Sequence, residues 1–273
     1  MIIISGNIVT RDKIVAEYPP NSLERQIAEQ LASSKDIYRY DSLNQLNFDI
    51  KLRVNIVGAA RELDESDMSF TTFRKSKCNT DYWQRTNEGG FLLKKYIKPS
   101  DAIKDIFINS SKYGTECATA MVIVYYKALV NILPEKLFNE MYPSIYLLDW
   151  QYISRNLYME NYRGVTEFFP GDCQYFRNPD VNPVTPEWQG ENVINLGDGT
   201  YYGHGIGITT ADGIIRALNK NRKRGATRSA FLLDFAVRLN AKQIANKYYN
   251  FISTMRMERW REIYRDYRNY LQY

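Results

Sequence analysis

The chain has 273 residues, 44% apolar and 14% aromatic, which is material for a packed core in roughly one or two domains. Its 36 basic and 31 acidic residues leave a net charge of +5, too mild an excess for a nucleic-acid face, and no nucleic-acid module is present. No stretch reaches the ~20 apolar residues of a membrane helix, the apolar start lacks the basic flank and length of a signal peptide, and three widely spaced cysteines with one histidine exclude a disulfide framework and a zinc site.

Residues 1–9 read as a strand, and a helix is expected over 22–32 with Asn21 as its cap. Leu43, Leu46, Ile50, Val54 and Val57 recur at steps of three and four, which predicts a helix over 42–63. Residues 64–98 read as aromatic-rich loop. Ser100 is expected to cap a short helix ending at Ile108. From Cys117 to Leu133 the sequence is almost wholly apolar and Pro134 closes it, the pattern of a buried helix. Thr115 is its expected N-cap, which puts Glu116 and Cys117 in the first turn.

Strand texture follows, over 145–152, 173–176, 192–196 and 201–208, separated by turn signals such as Pro170-Gly171-Asp172 and Gly197-Asp198-Gly199. Thr210 caps a helix through Leu218, and the basic loop 220–225 leads to a further helix. Helices first and strands later predict an α+β fold. Residues 1–240 read as one catalytic domain and 241–273 as a helical extension. In that extension Trp260, Tyr264, Tyr267 and Leu271 fall on one face among Arg259, Arg261, Arg265 and Arg268. Such a helix either packs on the core or docks on an acidic layer.

Cys117 carries the chemistry. The start of a helix presents unpaired N–H groups and a positive end, which favour a thiolate and can stabilise an oxyanion. His204, between Gly203 and Gly205, sits on an expected strand. A cysteine at a helix start facing a histidine on a strand is the layout of papain-like enzymes. Glu116 and Glu191 are the candidate carboxylates. Cys78 and Cys173 have no comparable context.

Tyr113-Gly-Thr-Glu-Cys117-Ala-Thr-Ala, Trp188-Gln-Gly-Glu191-Asn-Val-Ile and Tyr202-Gly-His204-Gly together resemble the spore-coat transglutaminases of spore-forming bacilli. Leu52-Arg-Val-Asn-Ile-Val57 and the stretch from Pro170 to Pro179 are similar to the same family, and the resemblance covers residues 1–240. It implies a papain-like core of NlpC type with a central antiparallel sheet. It also implies a calcium-independent, cofactor-free and metal-free reaction joining protein glutamine to protein lysine, with spore-coat proteins as substrates. The protein would reach the coat after synthesis in the mother-cell cytoplasm.

The nucleophile maps onto Cys117, the partner carboxylate onto Glu191 with Glu116 able to share its role, and His204 onto the histidine near the site. Cys117 would form a thioester with release of ammonia, and a lysine amine would resolve it. A carboxylate must then serve as acid and base, which requires burial to raise it; a neutral thiol hydrogen-bonded to Glu191 is the expected resting state. Transfer rather than hydrolysis needs a dry passage, for which Trp150, Trp188, Tyr201 and Tyr202 are the expected walls. The rival reading is a cysteine peptidase or amidase on the same core, and a relict coat protein is a third.

Overall fold

The computed structural model describes residues 1–270, with side chains through residue 265. The amino-terminal nine residues form a hairpin rather than one strand: β1 (Ile2–Ile4) and β2 (Asn7–Val9) turn at Ser5-Gly6, both at positive φ. After the short α1 (Arg11–Val15), α2 (Leu23–Ser33) starts one residue later than expected. Ser22, not Asn21, is its cap and accepts the Arg25 N–H. β3 (Tyr38–Tyr40) pairs in parallel with β1 and closes a small sheet.

The long α3 (Leu43–Asp64), capped by Ser42, follows the expected periodicity. Residues 64–98 are not simply loop. They contain β4 (Ser69–Phe70), β5 (Trp83–Arg85) and β6 (Phe91–Leu93). α4 (Pro99–Ile108) begins at its proline, with Lys98 at the cap position in place of Ser100. Proline suits the first helical position because its missing N–H would be unpaired there in any case.

β7 (Gly114–Thr115) pairs in parallel with β4. It delivers the chain into α5 (Cys117–Ile132), whose side chains are buried along most of its length. α5 lies against α3 and the central sheet, and its side chains fill the main core with Leu52, Ile56, Val57, Ile194 and Val237. α6 (Glu135–Met141) and β8 (Tyr146–Leu147) follow. The expected strand over 145–152 is cut short because Asp149 takes the left-handed conformation at φ 49°.

The central sheet is built from β9 (Met159–Arg163), β10 (Cys173–Arg177), β11 (Gly190–Asn195), β12 (Thr200–Gly203), β13 (Gly207–Thr210) and β14 (Phe231–Leu239). Its order is β13-β12-β11-β10-β14-β9, antiparallel throughout. Two expectations fail here. The expected strand over 201–208 is a hairpin, and His204 sits in its turn rather than on a strand. Gly205, at φ 101°, makes that turn possible. A Cβ there would meet the Phe70 ring at 2.5 Å.

The segment after the basic loop is β14, not a helix. Apolar residues stand on both of its faces because it is an interior strand between β10 and β9. α7 (Ala211–Asn219), capped by Thr210 as expected, covers the other side of the sheet. There Phe176, Val193, Ile214 and Leu218 form a second cluster.

α8 (Ala241–Tyr270) is one continuous helix. Ala241, Ile244 and Ala245 are buried in the main core, and Tyr248, Tyr249 and Phe251 pack on it, so the core continues past residue 240. Leu271 and the side chains of Tyr267 and Arg268, part of the expected aromatic and basic face, lie outside the described residues.

Candidate active site

The turn into α5 sets the site. Glu116 is the N-cap, in place of Thr115. Its carboxylate accepts the N–H groups of Ala118 at 2.6 Å and Thr119 at 2.7 Å. Cys117 is therefore the first helical residue, at the positive end of a buried helix. Its N–H is one of the helix's orphan donors that the Glu116 cap does not take.

Cys117, Glu116 and Ala118 line a cavity of about 1140 Å³, together with Phe70, Phe73, Trp150, Tyr175, Asn192 and Phe235. The β4–β7 pairing sets Phe70 opposite Thr115, two residues before the thiol. Thr119 accepts the Asp149 N–H at 2.8 Å, which holds the bend that brings Asp149 and Trp150 into the cavity wall.

The pleat of β11 divides its polar side chains between two faces. Asn192 and Ile194 face α5, and Asn192 Nδ2 donates to Cys117 Sγ at 3.4 Å. Glu191 and Val193 point the other way, toward Gly203, where a Cβ would meet the Glu191 carboxyl oxygen at 3.1 Å. The expected thiol–Glu191 hydrogen bond is therefore absent from this structure. The sulfur's partner is Asn192, because consecutive residues of a strand point to opposite faces.

Glu191 is nonetheless close enough for its charge to act on the sulfur. Burial, then Glu191, then Glu116 push the Cys117 thiol well above its usual range, while the backbone and side-chain N–H groups of Asn192 oppose the shift. Glu191 is 1% exposed, and its Oε1 has no hydrogen-bond partner among the described residues. Burial, then the Glu116 charge, raise its carboxyl well above the carboxylate range. Burial also raises Glu116, against the helix N–H groups it accepts.

His204 is 3% exposed, and its Nδ1 shares a hydrogen bond of 2.9 Å with the Tyr202 hydroxyl. Burial lowers it to about 4, so it is neutral at pH 7. It does not line the cavity. Its ring and that of Trp188 stand behind Phe70, at 6.1 and 5.7 Å between centroids. Of the four aromatic residues expected as walls, Trp150 lines the cavity. Tyr202 is buried against His204, and Tyr201 packs on Phe176 at 5.6 Å. Cys173 is buried on β10, and burial raises it. Cys78 lies away from the cavity. Among the described residues no group of His, Cys, Asp and Glu could hold a metal ion, and no helix is long and apolar enough to cross a membrane.

Sequence reasoning missed Asn192, Tyr175 and Phe70. The signal for Asn192 was present: once Ile194 faces α5, the alternation of a strand puts Asn192 on the same side, beside the cysteine.

The family model described as Protein-glutamine gamma-glutamyltransferase matches residues 1–248. The chain belongs to this family. Protein-glutamine gamma-glutamyltransferases of Bacillus mycoides and Bacillus cereus are similar to it. The first is 43% identical over 89% of this chain and 88% of its own length. The second is 45% identical over 88% and 87%. A solved transglutaminase from Geobacillus stearothermophilus, without its C-terminal extension, is 49% identical with a TM-score of 0.73. The match covers 76% of this chain and 98% of that one. The chain is thus a protein-glutamine gamma-glutamyltransferase, an acyltransferase acting on protein glutamine.

Proposed function

We propose that this transglutaminase joins the glutamine and lysine side chains of spore-coat proteins through a thioester on Cys117. In this reading the core is papain-like, the reaction needs no calcium, and the enzyme acts in the spore coat after synthesis in the mother-cell cytoplasm. One observation carries the chemistry: Cys117, the cysteine on the cavity wall among the described residues, stands at a helix start within reach of the charge of Glu191, a carboxyl that burial raises.

Burial and the two neighbouring carboxyls raise the Cys117 thiol, so it rests neutral, and Glu191 in its ionised form is the base in this scheme. During attack on the γ-carboxamide carbon the C–S bond forms, and the thiol proton passes to the carboxylate. The carbonyl electron pair moves onto oxygen. Collapse of this adduct breaks the C–N bond, and ammonia leaves with the proton the carboxyl returns. A neutral lysine amine then attacks the thioester, loses its extra proton to the carboxylate, and restores the thiol as the isopeptide bond forms.

A carboxyl that burial raises matches this two-way traffic better than a solvated one near 4.3. His204, neutral and behind Phe70, supports that ring in this scheme and moves no proton. The apolar lining from Phe70, Phe73, Trp150 and Phe235 disfavours water relative to an alkyl amine.

The test is incorporation of a fluorescent primary amine into casein, with and without a calcium chelator, by the native enzyme and by Cys117→Ala. Covalent label that resists the chelator and vanishes in Cys117→Ala is expected. Release of ammonia with glutamine turned to glutamate in the casein, and no label, would favour the amidase reading instead. Isopeptide bonds made by Cys117→Ala would sink the thioester mechanism.

A further inference from the structure

We infer that Asn192 is a catalytic residue of this reaction: its side-chain amide, with the Cys117 backbone N–H, forms the oxyanion hole for the adduct on Cys117. The inference rests on the proposed nucleophilic role of Cys117.

Three observations converge on it. First, attack moves the carbonyl electron pair onto an oxygen one bond from the carbon that is joining the sulfur. Donors for that oxygen must therefore lie within about one bond length further than hydrogen-bond reach of the sulfur itself. Asn192 Nδ2 is 3.4 Å from Sγ and lines the same cavity, while Glu191 on the opposite face of β11 cannot donate there. Second, the Glu116 carboxylate takes the N–H groups of Ala118 and Thr119 but not that of Cys117. The first N–H of α5 is therefore a second donor, aligned with the positive end of the helix. Third, Tyr175, Gln189 and Arg163 also carry donors on the cavity wall, but Asn192 is the side chain hydrogen-bonded to the sulfur, whereas Glu116 and Asp149 are acidic.

The rigid placement of Asn192 supports the role. Its strand is paired on both sides, with Asn192 opposite Tyr175 on β10. A donor fixed before the reaction needs no reorganisation when charge develops. In the adduct the C–S bond has formed and the C=O π pair sits on oxygen, held by the two N–H groups. When ammonia departs, the pair returns to re-form the carbonyl of the thioester, and the same donors serve again when the amine attacks.

The discriminating experiment compares two reactions of the same thiol in the full chain. Amine incorporation into a glutamine peptide passes through an oxyanion. Alkylation by iodoacetamide displaces iodide at a saturated carbon and does not. For Asn192→Ala, kcat for amine incorporation should fall about 10²-fold or more. KM for the glutamine peptide should stay within about threefold, and the alkylation rate constant of Cys117, which falls only through the lost N–H to sulfur bond, should drop far less than kcat. Asn192→Asp, of the same shape but accepting where a donor is needed, should lose at least as much. It serves as the second variant should the alanine change fail to fold, with thermal unfolding checked for both.

Near-native kcat in either folded variant would overturn the assignment. So would alkylation that falls in parallel with kcat, which would make Asn192 a thiolate stabiliser only. Cys117→Ala separates the two readings: cross-linking retained there removes the nucleophile and the hole together, whereas cross-linking retained only in the Asn192 variants removes the hole alone.

Discussion

Two carboxyls flank Cys117, and they differ in what else they do. Glu191 has an unpartnered oxygen, and Glu116 has both of its oxygens on backbone N–H groups. Glu191→Gln should therefore lose more amine incorporation than Glu116→Gln, and the double change more than either; full activity in the double variant would return the base role to His204. Stability should move oppositely for Glu191. Its folded carboxyl is raised, so over the window from about 4.5 upward the folded state holds a proton that the unfolded state has lost. Stability then falls as pH climbs through that window. Glu191→Gln should melt higher than the native enzyme at pH 8 and lose that advantage below pH 4, and a variant that melts lower at pH 8 would contradict this.

His204 runs the other way. Its folded value is about 4 against an ordinary 6.5, so stability is fully present above 6.5 and is lost as pH falls through that window. The difference corresponds to about 3 kcal/mol at most. Urea unfolding at pH 7 and pH 4.5 should show a larger loss for the native enzyme than for His204→Gln, and equal losses would show that another group governs the acid limb.

At the scale of elements, the start of α5 is stabilised by the same side chain that sits beside the chemistry. Glu116→Ala should cost about 1 kcal/mol through the lost cap. The cost should persist in a Cys117→Ala background, where no catalysis remains to be affected; a melting temperature unchanged there would mean that water replaces the cap. The join between α3 and the central sheet is a second such feature. Asp172 is fully buried and accepts from Arg53 at 2.9 Å and from Arg238 at 2.7 Å. Removing it as Asp172→Ala leaves two guanidinium groups without that partner, a loss of about 3–5 kcal/mol, readable by denaturant unfolding.

What the sequence made legible follows from its periodicities. α3, α5 and α7 carried clear helical spacing or continuous apolarity with recognisable starts. β14 did not, because an interior strand is apolar on both faces and such a run fits a buried helix as well. Of the site, Cys117 could be placed from its helix start and Glu116 from its neighbour. The division of Glu191 and Asn192 between opposite faces of β11 needed the register with β10 and β12, which depends on contacts distant in the chain.

At the scale of the whole molecule, α8 is one helix with two environments. Up to Phe251 it belongs to the core. Ile244 and Ala245 are fully buried, Tyr248 and Tyr249 pack on Phe48 with centroids at 5.5 and 6.4 Å, and Tyr249 Oη donates to the Asn44 carbonyl at 3.1 Å. Beyond that point Met257, Trp260, Ile263 and Tyr264 face solvent, with Trp260 71% exposed and Tyr264 69%. The family match ends at residue 248, close to the same place. The sequence reading put the boundary at 240, where the family resemblance ends, and which of the later residues are buried could not be read from the sequence. A chain stopped after residue 240 should fail to fold or melt far lower, since losing even one large buried side chain from a core costs about 2–5 kcal/mol. A chain stopped after residue 252 removes, among the described side chains, exposed ones, whose changes stay within about 0.5 kcal/mol each. It should keep its melting temperature and its turnover of a small glutamine peptide. The pair of truncations, followed by thermal unfolding and amine incorporation, places the boundary: loss of fold at 252 would mean that the outer half of α8 packs on the enzyme in solution, and an intact fold at 240 would mean that the contacts to Phe48 and Asn44 contribute nothing.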